Sequence, residues 1–569
     1  MADEQAPDQG VTTERQALLI LVGALVVLSL WLAWNRIYQV DEAQNAYTAW
    51  LLGAGLSRSF DVSVPVFLVP FAWLSRFVGS AGTIFLQVRL GFCLLFWLNL
   101  LLIVKAAGLR LRSRAGLWAL VGVALLPPLW TYGLEVRHEN WILCGLLLMW
   151  LVGRHHSAKA WAYPVLGLTA CLMQLGAFKA LAYWVPVSLV FLLFPPPGTS
   201  RPRLKLMLAW LGGGSVGCLL GLAVHLSLGT LHGFLADQAS LSHVASKGVR
   251  FAPWSALTKL LTQAPLLLAA LVIPGIALLV AAIRSGRAAW TWAGPLPEIL
   301  LWTLTCALLL VNPNPFPYNL VSITACGALA LITCLRHPPL AGLLAAGENR
   351  VLLFGLLVFA QGVPFAIQTD VLLEATNDRQ IQLMAWAERL TDPAKDTVFD
   401  AAGLVPMRRS ATHTWFVNLT NAEAFRSGIA GSLRQAIERD APAVIIPTFR
   451  FSYLSPEDIE AVRANYLGLA PDLWVLGTAL QPGTQTWVCR HPGRYALAVV
   501  GDAKPGAWIK LDGQLIAPGV YAFVPGAHTL EASPEGKAVV AWVGPWLDAP
   551  LAAGSEGAMP GVFPIPNAF

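Results

Sequence analysis

The chain has 569 residues, of which 56% are hydrophobic and 12% charged, with 23 Trp, 24 Phe and a net charge of +6. An average soluble domain is about 25% charged, so this composition points to a multi-pass membrane protein. It excludes disorder, a disulfide scaffold and a nucleic-acid partner.

Charge divides the sequence. Residues 1–367 carry 23 Lys+Arg and 12 Asp+Glu (+11), residues 368–569 carry 15 and 20 (−5), and the two sum to +6. Apolar runs fill the first part, while the second reads as water-soluble, so the boundary is expected near Gln368. Seven of the eight Cys lie in the apolar part; Cys489 stands alone in the tail, which therefore has no internal disulfide.

A helix needs about 20 apolar residues to cross roughly 30 Å of hydrocarbon. That criterion predicts 11 spans: 16–34, 83–104, 115–131, 139–153, 161–178, 180–194, 207–228, 264–283, 297–311, 318–334 and 350–367. The stretch 61–79 is broken by Pro65 and Pro70 and reads as a helix on or dipping into the membrane surface. With a cytoplasmic N-terminus, 14 Lys+Arg fall on inner segments and 8 on the longer outer ones, as the positive-inside rule asks. The tail then lies outside. The acidic start and lack of an A-x-A site argue that the first span is retained. Beyond residue 16 the membrane part has eight carboxylates, and Asp41, Glu42, Asp61, Glu135, Glu139 and Asp237 fall on the outer side.

In chain order, the first span is followed at once by Tyr38-Gln-Val-Asp41-Glu42-Ala-Gln-Asn45-Ala-Tyr47-Thr-Ala-Trp50. Ala43, Ala46, Tyr47 and Trp50 form an i, i+3, i+4, i+7 stripe, so a helix is expected from Asp41. Two acids at its start suit a cap and the positive end of the helix dipole. They equally suit a general base at the water–lipid boundary.

This arrangement resembles the GT-C superfamily of integral-membrane glycosyltransferases, and within it family 39, the protein O-mannosyltransferase and lipid A aminoarabinose transferase type. Further pieces are similar in order. Ser63 to Pro70, continuing through Phe77-Val-Gly79, resembles the family's Pro-rich amphipathic segment, with Val-Pro for the usual Pro-Pro. Arg89 opens the next long span. Glu135-Val-Arg137-His-Glu139-Asn140 resembles an Arg-x-Asp outer loop with Glu in place of Asp. Gly176-Ala-Phe-Lys179 and Asn312-Pro-Asn314-Pro-Phe-Pro317-Tyr318 resemble later loops, the latter without the frequent His-Pro. The likeness in layout covers most of 1–367.

The resemblance implies transfer of a sugar from a polyprenyl-phosphate carrier to an acceptor on the outer face, with inversion. No Gly-rich phosphate loop or D-x-D for a nucleotide sugar is present. Asp41 is then the candidate base, and Glu42 the catalytic candidate that orients a partner or the acceptor. Glu139 supports the site or binds a divalent metal, the one cofactor left open. Arg137, Lys179, Lys247, Arg250 and Tyr318 are candidate groups for the donor phosphate and substrate. Each has a plainer reading: an Arg137–Glu139 pair, a snorkelling Lys179, headgroup contacts for Lys247 and Arg250, an aromatic-belt Tyr318. The histidines 225, 232 and 243 lack metal spacing. The expected partners are the lipid donor, a protein, lipid or polysaccharide acceptor, and membrane lipids; the expected location is a bacterial inner membrane. A polytopic lipid or sugar transporter and a non-catalytic scaffold are the rival functions. A transporter would show internal repeats and mid-bilayer ionisable groups, and the acids here lie near span ends.

In the tail, helical spacing over 368–390, strand-like Thr397-Val-Phe399, Trp415-Phe-Val-Asn-Leu and Ala443-Val-Ile-Ile-Pro, and helices near 421–439 and 456–466 predict an extracytoplasmic α/β domain over 368–484. Period-2 strands, with an Asp512-Gly513 turn, predict a small β-sandwich-like domain over 485–547. There Gly526-Ala-His-Thr-Leu resembles PEGA-type β modules. Residues 548–569 read as a flexible end.

Overall fold

The computed structural model describes residues 9–56, 66–193, 203–231, 258, 296–311, 317–336, 362–412, 415–418, 422–426, 432–500 and 507–547. Two compact units emerge. The first takes Met1–Arg36, Val62–Pro70 and Leu86–Thr376; the second takes Ile37–Asp61, Phe71–Phe85 and Asn377–Phe569. The expected boundary near Gln368 falls at Thr376. The segment carrying Asp41 groups with the tail rather than with the spans on either side of it in sequence.

Through the membrane part the helices are α1 (Gln9–Asn35), α2 (Val40–Gly53), α3 (Val69–Ser75), α4 (Ala81–Ala106), α5 (Arg114–Ala124), α6 (Pro127–Gly133), α7 (His138–His156), α8 (Ala162–Gly176), α9 (Leu181–Leu193), α10 (Arg203–Ser227), α11 (Leu296–Val311) and α12 (Leu320–Arg336). Among the described residues three are long and apolar enough to cross a membrane: Thr13–Asn35, Ala81–Ala106 and Leu204–Ser227. The bent pair α5 and α6 makes a fourth, turning by 66°. The turn comes where Leu126 precedes Pro127: the proline ring excludes Leu126 from helical geometry, and its φ is −79° with ψ 111°. Shorter apolar helices occupy the predicted spans at 161–178, 180–194, 297–311 and 318–334. Among the described residues the count of 11 is not confirmed, because the predicted span 264–283 and most of 350–367 lie outside them. Helical residues Val66–Ser75 rise only about 15 Å, half of the hydrocarbon thickness.

The core of the first unit is one apolar cluster in which Trp130 and Trp150 are fully buried. Helix α10 attaches to α8 through glycines at a four-residue interval. A Cβ at Gly213 would strike the Pro164 carbonyl, and one at Gly217 would lie 2.7 Å from the Cys171 Cβ. Without water to drive association, such close backbone approach is what holds membrane helices together.

The second unit is rich in sheet. Its strands are β1 (Thr397–Phe399), β2 (Arg409–Ser410), β3 (Val444–Ile445), β4 (Tyr466–Ala470), β5 (Leu473–Leu480), β6 (Gly483–Cys489), β7 (Gly493–Val500), β8 (Ile509–Leu511), β9 (Gln514–Ile516), β10 (Gly519–Phe523), β11 (Gly526–Ala532) and β12 (Lys537–Trp542). The larger sheet runs β10-β7-β12-β5-β3-β1-β2, with β4 also on β5; the smaller runs β6-β11-β8-β9. Antiparallel β12 pairs Val539 with Ala479 on β5. The expected division at 484/485 thus falls between strands of one continuous sheet. Helix α13 (Asp378–Leu390) buries Leu383, Met384, Ala387 and Leu390.

Candidate functional site

In the first unit, groups at helix ends converge on one aromatic ring. Arg137 is the N-cap of α7, in extended backbone with φ −136°. That cap sends its side chain away from the helix and puts Glu139 in the first turn, where the dipole favours a carboxylate. Helix α8 ends at Gly176, and Lys179 follows in the single turn Phe178–Ala180. Tyr318 sits in the turn Pro317–Asn319, fixed because the Tyr183 hydroxyl donates to the Asn319 side-chain oxygen at 3.2 Å. The Arg137 guanidinium lies 4.4 Å and the Lys179 ammonium 4.6 Å from the centre of the Tyr318 ring. Such stacking draws on the ring face and the cation's charge rather than its N–H groups.

Carboxylates hold the cations. Glu139, whose side chain is 1% exposed, pairs with Lys179 and, at 3.2 Å, with His138. Its Oε2 is buried with no hydrogen-bond partner among the described residues. Arg137 bonds Glu135. Glu135 also receives Arg36 at 2.7 Å, and Arg36 donates from Nη1 to the Thr131 carbonyl at 3.1 Å. Arg89 donates to the Arg36 carbonyl. Asn140 secures the loop by donating to the carbonyls of Tyr132 and Glu135 at 3.1 and 2.8 Å. Among the described residues Arg36 and Arg137 both meet Glu135, and Lys179 and His138 both meet Glu139. Cations stacked on a tyrosine suit an anion such as a phosphate.

Sequence reading singled out Arg137, Glu139, Lys179 and Tyr318, and the fold brings these four together. It missed Arg36 and His138 as members, and treated Glu135 only as part of a motif. The single signal for Arg36 was its place at the end of the first span. Lys247 and Arg250 lie outside the described residues, as do Asp61, Asp237 and residues 312–316 of the Pro-rich loop. Among the described residues no group of three or more His, Cys, Asp or Glu side chains is placed to hold a metal, and Glu139 is committed to Lys179 and His138.

Asp41 and Glu42 belong to the second unit, on α2. Glu42 is 1% exposed and its Oε2 accepts from the Gln39 backbone N–H at 2.8 Å, closing a capping box. The capping reading therefore describes Glu42. Asp41 is partly exposed in the same first turn, and the Asn45 side chain donates to its backbone carbonyl at 2.9 Å.

No protein-family model and no curated protein matches the sequence. The fold does match solved structures. ArnT from Cupriavidus metallidurans bound to undecaprenyl phosphate superposes with a TM-score of 0.52 at 14% identity, covering 81% of this chain and 98% of that one. The same protein in its apo state gives 0.52 and 14%, covering 81% and 97%. At that identity the likeness is one of fold. The chain shares that fold: a helical part with helices long and apolar enough to cross a membrane, and a C-terminal sheet region.

Proposed function

We propose that the chain is a membrane glycosyltransferase that moves a sugar from a polyprenyl-phosphate carrier to an acceptor hydroxyl, with inversion at the sugar carbon. The observation that carries this reading is the pair of cations, Arg137 and Lys179, stacked on Tyr318. The fold likeness to a protein solved with undecaprenyl phosphate supports it.

The reaction needs a base for the acceptor and a sink for the leaving charge. Asp41 takes the hydroxyl proton as the acceptor oxygen bonds the sugar carbon. The bond from that carbon to the phosphate oxygen breaks, and its electron pair leaves with the carrier phosphate. The logic is that of an inverting glycosidase in which an alcohol replaces water. Arg137 and Tyr318 contact the phosphate, Lys179 adds a point charge held by Glu139, and Lys247 and Arg250 are further candidates for the same anion. Glu42 sets the start of the helix that carries Asp41. In this reading the N-terminus is cytoplasmic, the tail extracytoplasmic, the membrane a bacterial inner membrane, and the acceptor a protein, lipid or polysaccharide.

Two measurements test it. A deletion strain should accumulate a polyprenyl-phosphate sugar in its lipid extract; an unchanged lipid profile counts against the donor class. A cysteine-accessibility scan should label positions in 432–500 from outside; labelling from the cytoplasm alone overturns the sidedness.

A further inference from the structure

We propose that the C-terminal region is the positioning element of the candidate base: it grips the segment carrying Asp41 through Gln380 and through the backbone around Arg408. The inference rests on the reading of Asp41 above and gives a function to the tail.

The grip has two points. Just before α2, Tyr38 is 1% exposed. Its backbone N–H donates to Gln380 Oε1 at 2.7 Å, and its carbonyl accepts from Gln380 Nε2 at 3.0 Å. One side-chain amide thus pairs with both polar groups of a single residue, as a neighbouring strand would. That pairing sets where the segment lies and which way it faces. Gln380 is itself 1% exposed and stands on α13, whose apolar face is buried.

The second point is Tyr47, two turns into α2. Its hydroxyl donates to the Arg408 carbonyl at 2.8 Å and accepts from the Ser410 N–H at 2.9 Å. Its ring lies 4.5 Å from that of Trp415. Arg408 is held in turn by the Thr391 hydroxyl at 2.6 Å and the Glu388 carbonyl at 3.0 Å. Gly403 leaves room for the contact: its φ is +79°, and a Cβ there would lie 2.8 Å from the Tyr47 Cβ and 2.7 Å from the Trp415 ring. The C-terminus of α2 is held from outside the tail, by Arg76, which donates to the Gly53 carbonyl at 2.8 Å.

Tyr38 and Tyr47 bracket Asp41. A hydroxyl that donates to Arg408 and accepts from Ser410 fixes the rotation of α2 about its axis, and the Gln380 amide fixes its start. Rotation and start together determine where an Asp41 carboxylate points. Catalysis by an oriented base is sensitive to this: a misplacement of about 1 Å costs on the order of 100-fold. Gln380 and Tyr47 are positioning residues, since they act through Asp41.

The test uses the full chain in detergent, with the lipid extract of a deletion strain as donor and undecaprenyl phosphate as competitive inhibitor. Tyr47→Phe keeps the ring and removes both hydroxyl hydrogen bonds; Gln380→Ala removes the amide. Each should lower kcat by about 10- to 100-fold, leave the inhibition constant of undecaprenyl phosphate within twofold, and speed amide exchange across 40–53 but not across 473–500. Unchanged kcat in both variants overturns the proposal. So does a parallel loss of inhibitor binding and of protection across 473–500, which marks a general structural role. Asp41→Asn is run alongside. If it retains turnover, the reading of the base fails; if it is inactive while Tyr47→Phe and Gln380→Ala are normal, only the positioning role fails.

Discussion

In the helical unit, charge is arranged around a ring: Arg36 and Arg137 share Glu135, Lys179 takes Glu139, and Tyr318 lies beneath Arg137 and Lys179. In the sheet-bearing unit, the acid helix α2 is arranged around backbone: Tyr38, Tyr47 and Gly53 are each fixed by hydrogen bonds to or from main-chain atoms. The first arrangement is held by charge pairs shielded from water, the second by directional hydrogen bonds and close packing. Charge pairs set a local potential and tolerate small displacements. Hydrogen-bond pairs set an orientation and do not. An anion site and an oriented proton acceptor need these different supports.

The largest effect should come from the acid helix. Asp41→Asn is expected to cut transfer by at least about 1,000-fold with insertion and thermal midpoint retained. A variant near normal turnover would strip the sheet-bearing unit of its chemical role and break the contrast. Next comes the ion pair of the helical unit. Lys179→Met removes the ammonium paired with the buried Glu139 carboxylate and should destabilise by about 3 kcal/mol in thermal unfolding. Adding Glu139→Gln should recover most of that loss; if it recovers none, charge pairing is not what supports this region.

Gly403→Ala probes the packing side of the contrast. A Cβ at φ +79° within 2.8 Å of Tyr47 should cost about 2 kcal/mol, read in the unfolding of the C-terminal region, and should loosen amide exchange over 40–53. The smallest effect is a pH dependence. His491 lies 2.8 Å from Asp396 and 3.3 Å from Asp440 through its two ring nitrogens. Burial alone lowers its pKa, but the Asp396 hydrogen bond and the two carboxylate charges outweigh this and raise it above the ordinary value. Its stabilising contribution is therefore complete below about pH 6.5, the usual histidine value. It is lost as pH rises through the higher folded value, because a neutral ring has one N–H for two carboxylates. A thermal melt series should show this decline, and His491→Gln should flatten it.

Residue type made part of this legible. Adjacent acids after an apolar run, and isolated cations at span ends, stand out because a membrane penalises them. The four clustered groups Arg137, Glu139, Lys179 and Tyr318 were identifiable for that reason. Their partners were not. Arg36 meets Glu135 across 99 positions, and Tyr47 meets Arg408 across 361; no local spacing encodes either pairing. The period-2 strands of the tail announced themselves, but strand pairing is non-local. Nothing in residues 473–542 indicated that β5 and β12 would join what read as two domains. Glu42 shows the reverse case. Its capping box lies within three residues and follows from helix-start chemistry.

The pairing of Tyr38 with Gln380 also has a temporal side. The two residues are 342 positions apart, and at roughly 5–20 residues per second of synthesis they emerge tens of seconds apart. During that interval the first span and the segment behind it exist without the amide that orients them. On the reading proposed above, a ribosome-bound or truncated chain lacking residues 377–415 has its acid but not its aim. On that same reading, an oriented base would first exist only after residues 377–415 have been made.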